Sequence, residues 1–316
     1  MGRERRCQVA IPREPEAEAL WRALAPLETI AELRGYSSAG GDEELVRGLE
    51  GARVALSWLG RTRLSRGVLE RLPALRLISV AGPWLEQVDL EAAKRLGIHV
   101  RHTPGRAIPA VAEFTLALML AWHRPLPLLA SGSEPSRWGL WPGRELRGRR
   151  LGVVGLGAIG EDVARRALGL GMEVVAWSPS LTPERARAHG VEARALPELL
   201  ADSDVVSLHL RLGPRTERWV DAGFLRQMKR TALLVNTSRA GLVDEEALWE
   251  ALSESRIGGA ALDVHWREPL PETSRWFRLR NVLLTPHCAW ATDESLRRMA
   301  EQAAANALAF LEGGDN

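Results

Sequence analysis

The glycine spacing after residue 150 is the clearest chemical signal in the sequence. Residues 151–160 read Leu-Gly-Val-Val-Gly-Leu-Gly-Ala-Ile-Gly, which contains three glycines in G-x-G-x-x-G order: Gly155, Gly157 and Gly160. An apolar strand pattern precedes them, and a helical pattern over 161–169 follows. In that context the first glycine permits a tight turn, the second lets the backbone approach a pyrophosphate, and the third allows close packing of helix on strand. The motif predicts a dinucleotide site that includes Ala158 and Ile159; the alternative is a glycine-rich turn without a ligand.

The choice of dinucleotide depends on the residue that ends the next strand. In an NAD site, an acid about 20 residues beyond the glycines binds the adenosine ribose. Here the strand over 174–177 ends in Ser178, so no carboxylate is present to repel a ribose 2′-phosphate. Arg185 and Arg187 follow, and they either bind that phosphate or form the solvated face of a helix. The expected cofactor is NAD(H) or NADP(H), and Ser178 favours NADP(H).

Three later segments combine apolar strand patterns with polar and charged residues. They cover 235–248, 261–271 and 284–292, and they include Val-Asn-Thr-Ser-Arg-Ala-Gly, Leu-Asp-Val-His-Trp-Arg-Glu-Pro and Thr-Pro-His-Cys-Ala-Trp respectively. In order and spacing they resemble the D-isomer-specific 2-hydroxyacid dehydrogenases, including phosphoglycerate-dehydrogenase-like and glyoxylate-hydroxypyruvate-reductase-like members. The resemblance implies hydride transfer between NAD(H) or NADP(H) and a small 2-oxo acid or (R)-2-hydroxy acid.

The resemblance assigns the reaction to three side chains. Reduction of a 2-oxo acid needs a cation for the carboxylate and carbonyl oxygens, and an acid that protonates the forming alkoxide. Arg239 would be the cation, because a planar guanidinium holds both oxygens at once. His287 would be the acid in reduction and the base in oxidation, with Glu268 orienting its ring and keeping it protonated. Taken singly, each is better explained otherwise, Arg239 as a surface ion-pair member, His287 as a packed core histidine and Glu268 as a loop acid; the three together at family spacing favour the catalytic interpretation.

Other residues enter the expected cofactor site through the same resemblance. Thr237 is placed beside the cofactor, and Asp263 resembles the residue that fixes the nicotinamide carboxamide. His209 ends a predicted strand, and it either lines the adenine side or packs in the core. The histidines show no metal-ligand spacing, so no metal is expected.

The substrate loop of the N-terminal region departs from the family pattern. Many relatives carry G-x-G there, and its amides receive the substrate carboxylate beside Arg239. Here Gly82 keeps the first glycine, Trp84 replaces the second, and Pro83 removes one amide donor. Gly82, Trp84, Trp290 and Arg239 are therefore the expected substrate-binding residues. Which 2-oxo acid fits them stays open.

These residues must be positioned by alternating strands and helices. The predicted strands, in order, cover 8–11, 53–58, 75–80, 98–101, 151–155, 173–177, 205–210, 232–236, 259–264 and 282–285. Helical patterns between them predict parallel sheets with crossover helices. The expected fold is α/β, with two doubly wound parallel-sheet domains, Rossmann-like and flavodoxin-like, and a cleft between them. Chain order assigns 1–101 plus 288–316 to a substrate domain and 102–287 to an NAD(P)-binding Rossmann domain.

Composition excludes several classes of protein. The 316 residues suggest two domains, and 46% hydrophobic with 26% charged residues is typical of a globular protein. The 42 basic against 40 acidic residues give a net charge of +2, which does not indicate a nucleic-acid partner. Cys7 and Cys288 lie far apart in sequence, which favours a reducing, cytoplasmic location. No apolar stretch approaches the roughly 20 residues of a membrane span.

Two segments and one family likeness bear on partners. An apolar helix over 110–123 and a Pro-, Gly- and Trp-rich arm over 126–148 are similar to the dimer contacts of the family, which implies a homodimer. The competing function is a dinucleotide-binding scaffold with little turnover. The C-terminal-binding-protein corepressors resemble this family, work mainly through protein contacts and keep the same three catalytic residue types.

Overall fold

A computed structural model describes residues 7–14, 17–37, 41–124, 126 and 142–313. The chain divides into two compact units: unit 1 is Met1–Ala107 with Ala291–Asn316, and unit 2 is Ile108–Trp290. Each unit has its own sheet, in which neighbouring strands of the described residues pair in parallel. The predicted α/β class with two parallel sheets is therefore confirmed.

The strands and helices of the described residues alternate along the chain. The strands are β1 Cys7–Pro12, β2 Ala31–Tyr36, β3 Val54–Trp58, β4 Leu77–Ala81, β5 His99–His102, β6 Arg150–Val154, β7 Glu173–Trp177, β8 Glu192–Ala193, β9 Val205–Leu208, β10 Leu233–Asn236, β11 Gly259–Leu262 and β12 Val282–Leu284. The helices are α1 Glu18–Leu24, α2 Asp42–Leu49, α3 Arg66–Leu69, α4 Leu90–Arg95, α5 Ile108–His123, α6 Ala158–Gly169, α7 Pro183–Ala188, α8 Leu196–Asp202, α9 Ala222–Gln227, α10 Glu245–Ser253 and α11 Asp293–Leu311.

Unit 1 is built on a sheet of order β2-β1-β3-β4-β5. β3 and β4 are buried along their whole length, because parallel strands are covered on both faces. The C-terminal helix α11 returns to this unit, where the Ser79 hydroxyl donates to the carbonyl of Ala303 at 3.1 Å. A capping box between Thr292 and Ser295 starts that helix. The last helix therefore belongs to the N-terminal sheet.

Unit 2 is built on a sheet of order β12-β11-β10-β9-β6-β7-β8. Strand order reverses between β6 and β9, and ligands of such sheets bind at the carboxyl ends of the strands beside this switch point. The apolar helix α5 packs on α6, β10 and β11. Its Trp122 approaches Gly259 so closely that a Cβ there would lie 2.0 Å from the indole.

Every predicted strand lies on an observed one, and two observed strands were not predicted. β2 is an edge strand in which exposed Glu32 and Arg34 alternate with half-buried Leu33 and Gly35, and it lacks the apolar run that marks the others. β8 has only two residues. The predicted arm over 126–148 lies outside the described residues apart from 126 and 142–148.

Neither a membrane helix nor a metal cluster occurs among the described residues. No helix there is both long and apolar enough to cross a bilayer. No group of three or more His, Cys, Asp or Glu side chains in the same part of the chain is placed to hold a metal ion.

Candidate active site

The glycine loop joins β6 to α6 and has no room for side chains at two of its three glycines. Gly155 has a φ of +104°, and a Cβ there would lie 2.7 Å from the carbonyl of His209. A Cβ on Gly160 would lie 2.1 Å from the carbonyl oxygen of Gly155. Gly157 differs, because a Cβ built on it would meet no described atom within 4 Å. Space therefore stays open at the position that precedes the N-terminus of α6.

Ser178, at the end of β7, holds the same loop. Its hydroxyl oxygen accepts a hydrogen bond from the Leu156 N–H at 2.7 Å. Arg185 reaches back from α7 and donates both to the Leu156 carbonyl at 2.6 Å and to Glu161 at 2.8 Å. Arg187 instead bonds within its own exposed helix. Arg187 therefore lies on a solvated helix face, as one of the two alternatives predicts. Arg185 instead lies against the glycine loop.

His209 follows β9 at the carboxyl edge of the sheet. Its Nε2 lies 2.9 Å from the Ser207 hydroxyl, and its backbone N–H donates to the Val154 carbonyl at 2.7 Å. Burial of the ring lowers the pKa of His209 to about 4. The ring is therefore neutral at physiological pH and brings no charge to the loop.

Arg239 follows β10 in a loop fixed by one buried amide side chain. Asn236 accepts from the Ser238 N–H at 3.0 Å and donates to the Arg239 carbonyl at 3.0 Å. The guanidinium of Arg239 is exposed and donates to the Ser238 carbonyl at 2.8 Å. Among the described residues, no carboxylate lies within 4 Å of it. The described residues therefore do not support the interpretation of Arg239 as a member of a surface ion pair.

Thr237 is buried next to the Arg239 loop. Its hydroxyl lies 2.9 Å from that of Thr115 in α5, which itself donates to the Val111 carbonyl at 2.7 Å. The Thr237 hydroxyl is therefore the donor of the pair. The bond ties the loop to the apolar helix beneath it.

Asp263 follows β11 and is completely buried. One carboxylate oxygen accepts from the Thr285 hydroxyl at 2.6 Å and the Cys288 N–H at 3.0 Å, and the other accepts from the Ala289 N–H at 2.8 Å. Both oxygens thus bind the segment that carries His287. The expectation of a carboxamide contact did not include this use of the carboxylate.

His287 and Glu268 form a hydrogen-bonded pair. The Nδ1–H of His287 donates to Glu268 Oε2 at 2.7 Å, and Glu268 Oε1 accepts from the His265 N–H at 2.8 Å. Burial acts to raise the pKa of Glu268, but the bonds from His287 and His265 outweigh it and the pKa is lowered. The carboxylate is therefore charged at neutral pH and fixes the imidazole tautomer. Nε2 has no hydrogen-bond partner among the described residues.

The backbone at His287 is in an unusual conformation. Its φ is +53°, a left-handed value that costs energy for a residue with a side chain. The Trp290 indole donates to the His287 carbonyl at 2.9 Å, and the His287 N–H donates to the Thr285 carbonyl at 3.0 Å. The surrounding loop thus holds the histidine in a fixed turn. Trp290, expected at the substrate, braces that turn.

Tryptophans also hold the segment that carries Glu268. Trp266 donates to the Val243 carbonyl at 3.0 Å and stacks on Trp276, with ring centroids 5.2 Å apart. Trp276 is buried and donates to Glu245 at 3.1 Å. This packing fixes the backbone two residues before Glu268.

The substrate-loop candidates belong to unit 1. The Gly82 N–H donates to the Thr103 hydroxyl at 2.7 Å, so this amide is already engaged. The Trp84 ring covers Gly82, where a Cβ would lie 2.4 Å from it. The Trp84 backbone and Cβ lie against Gly60, where a Cβ would come within 2.8 Å. Trp84 therefore fills the space between two turns that follow β3 and β4.

Most candidates of unit 2 gather at one edge of its sheet. Six follow the adjacent strands β10, β11 and β12: Thr237, Arg239, Asp263, Glu268, His287 and Trp290. Those for the cofactor follow β6, β7 and β9: Gly155, Gly157, Ala158, Ile159, Gly160, Ser178 and His209. Parallel strands put all of these segments at the carboxyl edge.

Comparison with known proteins identifies the family. The model of the D-isomer specific 2-hydroxyacid dehydrogenase, NAD binding domain, matches residues 116–289. The glyoxylate reductase of Aeropyrum pernix is 40% identical over 271 residues, which cover 82% of this chain and 80% of that protein. The chain belongs to the D-isomer-specific 2-hydroxyacid dehydrogenase family.

Two further proteins are similar to this chain over nearly its whole length. The glycerate dehydrogenase of Methylorubrum extorquens is 36% identical over 293 residues, covering 89% of this chain and 90% of the relative. The apo-structure of D-lactate dehydrogenase from Escherichia coli has a TM-score of 0.85 at 28% identity and covers 98% of each chain. The protein is thus an oxidoreductase that transfers a hydride between NAD(H) or NADP(H) and a 2-oxo or 2-hydroxy acid.

The loop of this dehydrogenase fits a dinucleotide pyrophosphate. Gly155 and Gly160 are glycines because the chain itself leaves no room for a Cβ, whereas the space at Gly157 is free of described protein atoms. In such an open space before a helix N-terminus, backbone N–H groups donate hydrogen bonds to phosphate oxygens. When bound, the dinucleotide supplies the hydride at its nicotinamide carbon.

Several residues that build the site were not anticipated from the sequence. Asn236 holds the arginine loop, Thr285 and Trp266 help to hold the segments of His287 and Glu268, and Thr103 engages Gly82. Asn236 stands in the quoted family segment, but its side-chain role depends on two contacts made inside a turn. The sequence signal that could have pointed to Asn236 is its position as a polar residue at the end of a buried strand.

Proposed function

We propose that this dehydrogenase reduces a short 2-oxo acid, of the size of glyoxylate or hydroxypyruvate, with a preference for NADPH. The His287–Glu268 bond of 2.7 Å, with Nε2 left without a described partner, is the observation that carries the proposal. The names of its relatives, glyoxylate reductase and glycerate dehydrogenase, support a short acid.

The side chains of unit 2 supply the proton and the charge that reduction needs. Arg239 binds the substrate carboxylate and carbonyl oxygen through its two-pronged guanidinium. His287 donates the Nε2 proton to the carbonyl oxygen as the hydride arrives at its carbon. Glu268 holds the Nδ1–H and stabilises the positive ring before the transfer. Oxidation of the hydroxy acid runs through the same groups in reverse.

The cofactor preference rests on Ser178 and Arg185. Because the Ser178 oxygen accepts from Leu156, its hydroxyl proton is free to be donated to a ribose or phosphate oxygen. Arg185 lies against the same loop and brings a positive charge, part of which Glu161 offsets. Neither residue repels a 2′-phosphate as an acid at position 178 would. These contacts support NADPH over NADH.

Domain roles and assembly follow from the same family pattern. We assign cofactor binding to unit 2, and substrate binding to unit 1 through Gly82 and Trp84. A homodimer is proposed through α5, whose exposed positions include the apolar residues Ala117 and Leu120. A cytoplasmic location is proposed from the two widely separated cysteines. Sedimentation as a monomer at micromolar concentration would contradict the dimer.

The direct test follows NADH and NADPH absorbance with glyoxylate, hydroxypyruvate, pyruvate, phenylpyruvate and 3-phosphohydroxypyruvate. Highest kcat/KM for glyoxylate or hydroxypyruvate with NADPH is the expected result. Preference for NADH by more than about tenfold, or roughly 1.4 kcal/mol, would contradict the cofactor proposal. Silence across the panel would favour the dinucleotide-binding scaffold.

A further inference from the structure

A cavity lies at the edge of the unit 2 sheet opposite the active site. Its volume is about 410 Å³. Arg230, Gly258 and Asn281 line it, and they precede β10, β11 and β12 respectively. The carboxyl ends of these same strands lead to Arg239 and His287. Since the strands have three or four residues, the two edges are separated by roughly 13 Å of backbone.

Three exposed arginines give this cavity its charge: Arg230, Arg278 and Arg280. Arg230 donates to the Ser255 carbonyl at 3.4 Å. No carboxylate of the described residues lies within 4 Å of any of the three guanidinium groups. The acid beside Ser255, Glu254, is already paired with Arg256 at 2.7 Å. Three like charges around one cavity, without a described counter-charge, attract an anion.

The remaining lining supplies both hydrogen bonds and an apolar floor. The hydroxyls of Ser253 and Ser255 line the cavity and have no hydrogen-bond partner among the described residues. Leu252 and Ile257 are buried side chains that close its inner side. The cavity therefore offers a charged mouth for an anionic group and a less polar wall for a carbon skeleton.

We propose that this cavity binds the phosphate monoester of a small metabolite. A phosphate monoester carries up to two negative charges and three terminal oxygens, which three guanidinium groups can each meet with paired N–H donors. A single carboxylate has one charge and two oxygens, and it leaves one arginine without a partner. The volume lies within the range of small-molecule sites and exceeds the needs of inorganic phosphate alone.

The test is calorimetric titration of the full-length protein with glycerol 3-phosphate. The protein is first saturated with its nicotinamide cofactor, so that the glycine loop cannot take the phosphate. We expect one site, with binding weakened at least tenfold in Arg278→Gln and in Arg280→Gln. Arg226→Gln is the matched control, because Arg226 is exposed, has no described carboxylate within 4 Å and lies outside the cavity. It should bind within twofold of the parent.

Three results would overturn the proposal. They are the absence of saturable binding up to about ten millimolar, equal weakening by Arg226→Gln, and binding that neither cavity variant changes. Tighter binding of citrate than of glycerol 3-phosphate at the same arginines would overturn the assignment to a phosphate. Thermal midpoints check that the variants fold, and hydride transfer assayed without phosphate reports separately on the proposed function.

Discussion

The carboxyl ends of the two sheets hold their loops by partly different means. In unit 2, the buried polar side chains of Asn236 and Asp263 fix the loops of Arg239 and His287 through directional hydrogen bonds. In unit 1, Thr103 also binds Gly82 through hydrogen bonds, and the bulk of Trp84 between two glycine turns adds packing that the described unit 2 loops do not have at the same place. Directional bonds fix the angles that proton transfer needs, whereas packing sets the shape of a surface. We therefore expect unit 2 changes to affect kcat and Trp84 changes to affect substrate choice.

Loss of the proposed proton donor, His287, tests the unit 2 loops most severely. His287→Ala should lower kcat by about 100-fold to 10,000-fold, the range for a positioned general acid. Stopped-flow measurement of hydride transfer separates this effect from product release. A kcat within about threefold of the parent would remove His287 from the reaction.

The buried carboxylate beneath the histidine loop comes next. Asp263→Asn places an amide where the carboxylate accepts from Thr285, Cys288 and Ala289, so at least one buried donor loses its partner. The free energy of unfolding should fall by about 1–3 kcal/mol, and kcat should fall with it. Denaturant unfolding and steady-state kinetics check both values. Unchanged kcat in a destabilised variant would show that the loop keeps its histidine without these bonds.

Substitution of Trp84 tests how packing in the unit 1 loop affects substrate choice. Trp84→Ala should change the ratio of kcat/KM for phenylpyruvate over glyoxylate by about tenfold, while kcat for the better substrate changes less than in Asp263→Asn. Trp84→Phe, which keeps an aromatic ring beside Gly82, is the matched control and should retain more of the parent ratio. A large fall in kcat with an unchanged ratio would place Trp84 with the catalytic loops instead.

The glycine loop tests whether a single residue at the strand end sets cofactor choice. Ser178→Asp should move the ratio of kcat/KM for NADPH over NADH by at least about tenfold toward NADH, because a carboxylate repels the 2′-phosphate and binds ribose hydroxyls. Arg187→Gln is the control, since Arg187 bonds within its own helix. An unchanged ratio in Ser178→Asp would show that other groups choose the cofactor.

The parts of the molecule that the sequence reveals are those with local signals. The glycine loop is readable because Gly155 and Gly160, only five residues apart, both stand where a Cβ has no room, and the buried parallel strands are readable as apolar runs. β2 was missed because an edge strand carries charges, such as Glu32 and Arg34. The bonds of Asp263 to the histidine loop join residues 22 to 26 apart, and no local pattern encodes them. Long-range partners are therefore what the structure adds to the site.

The same limit applies to Arg185. Its place in an exposed helix predicts a solvated side chain as readily as a ligand contact. Only the fold brings it to Leu156, 29 residues earlier in the chain.

We propose that Glu268 acts on the reaction through His287, and the pH dependence of Glu268→Gln is the sharpest check of that role. Because the pKa of Glu268 is lowered, its charge is present in the parent at neutral pH and is lost only as the pH falls through that lowered value. That charge stabilises a positive ring, so its removal should lower the pH above which reduction fails.

The oxidation direction supplies the internal check, because it needs the deprotonated ring. In Glu268→Gln, the acid limb of the pH profile for oxidation should move to lower pH by the same amount as the limb for reduction. The variant should therefore lose most of its reduction rate at high pH and keep more of its oxidation rate at low pH. The measurement is kcat/KM in both directions from about pH 5 to 10. Parallel shifts of both limbs are the predicted result. An equal loss of rate at every pH, without a shift of either limb, would show that Glu268 does not act through His287.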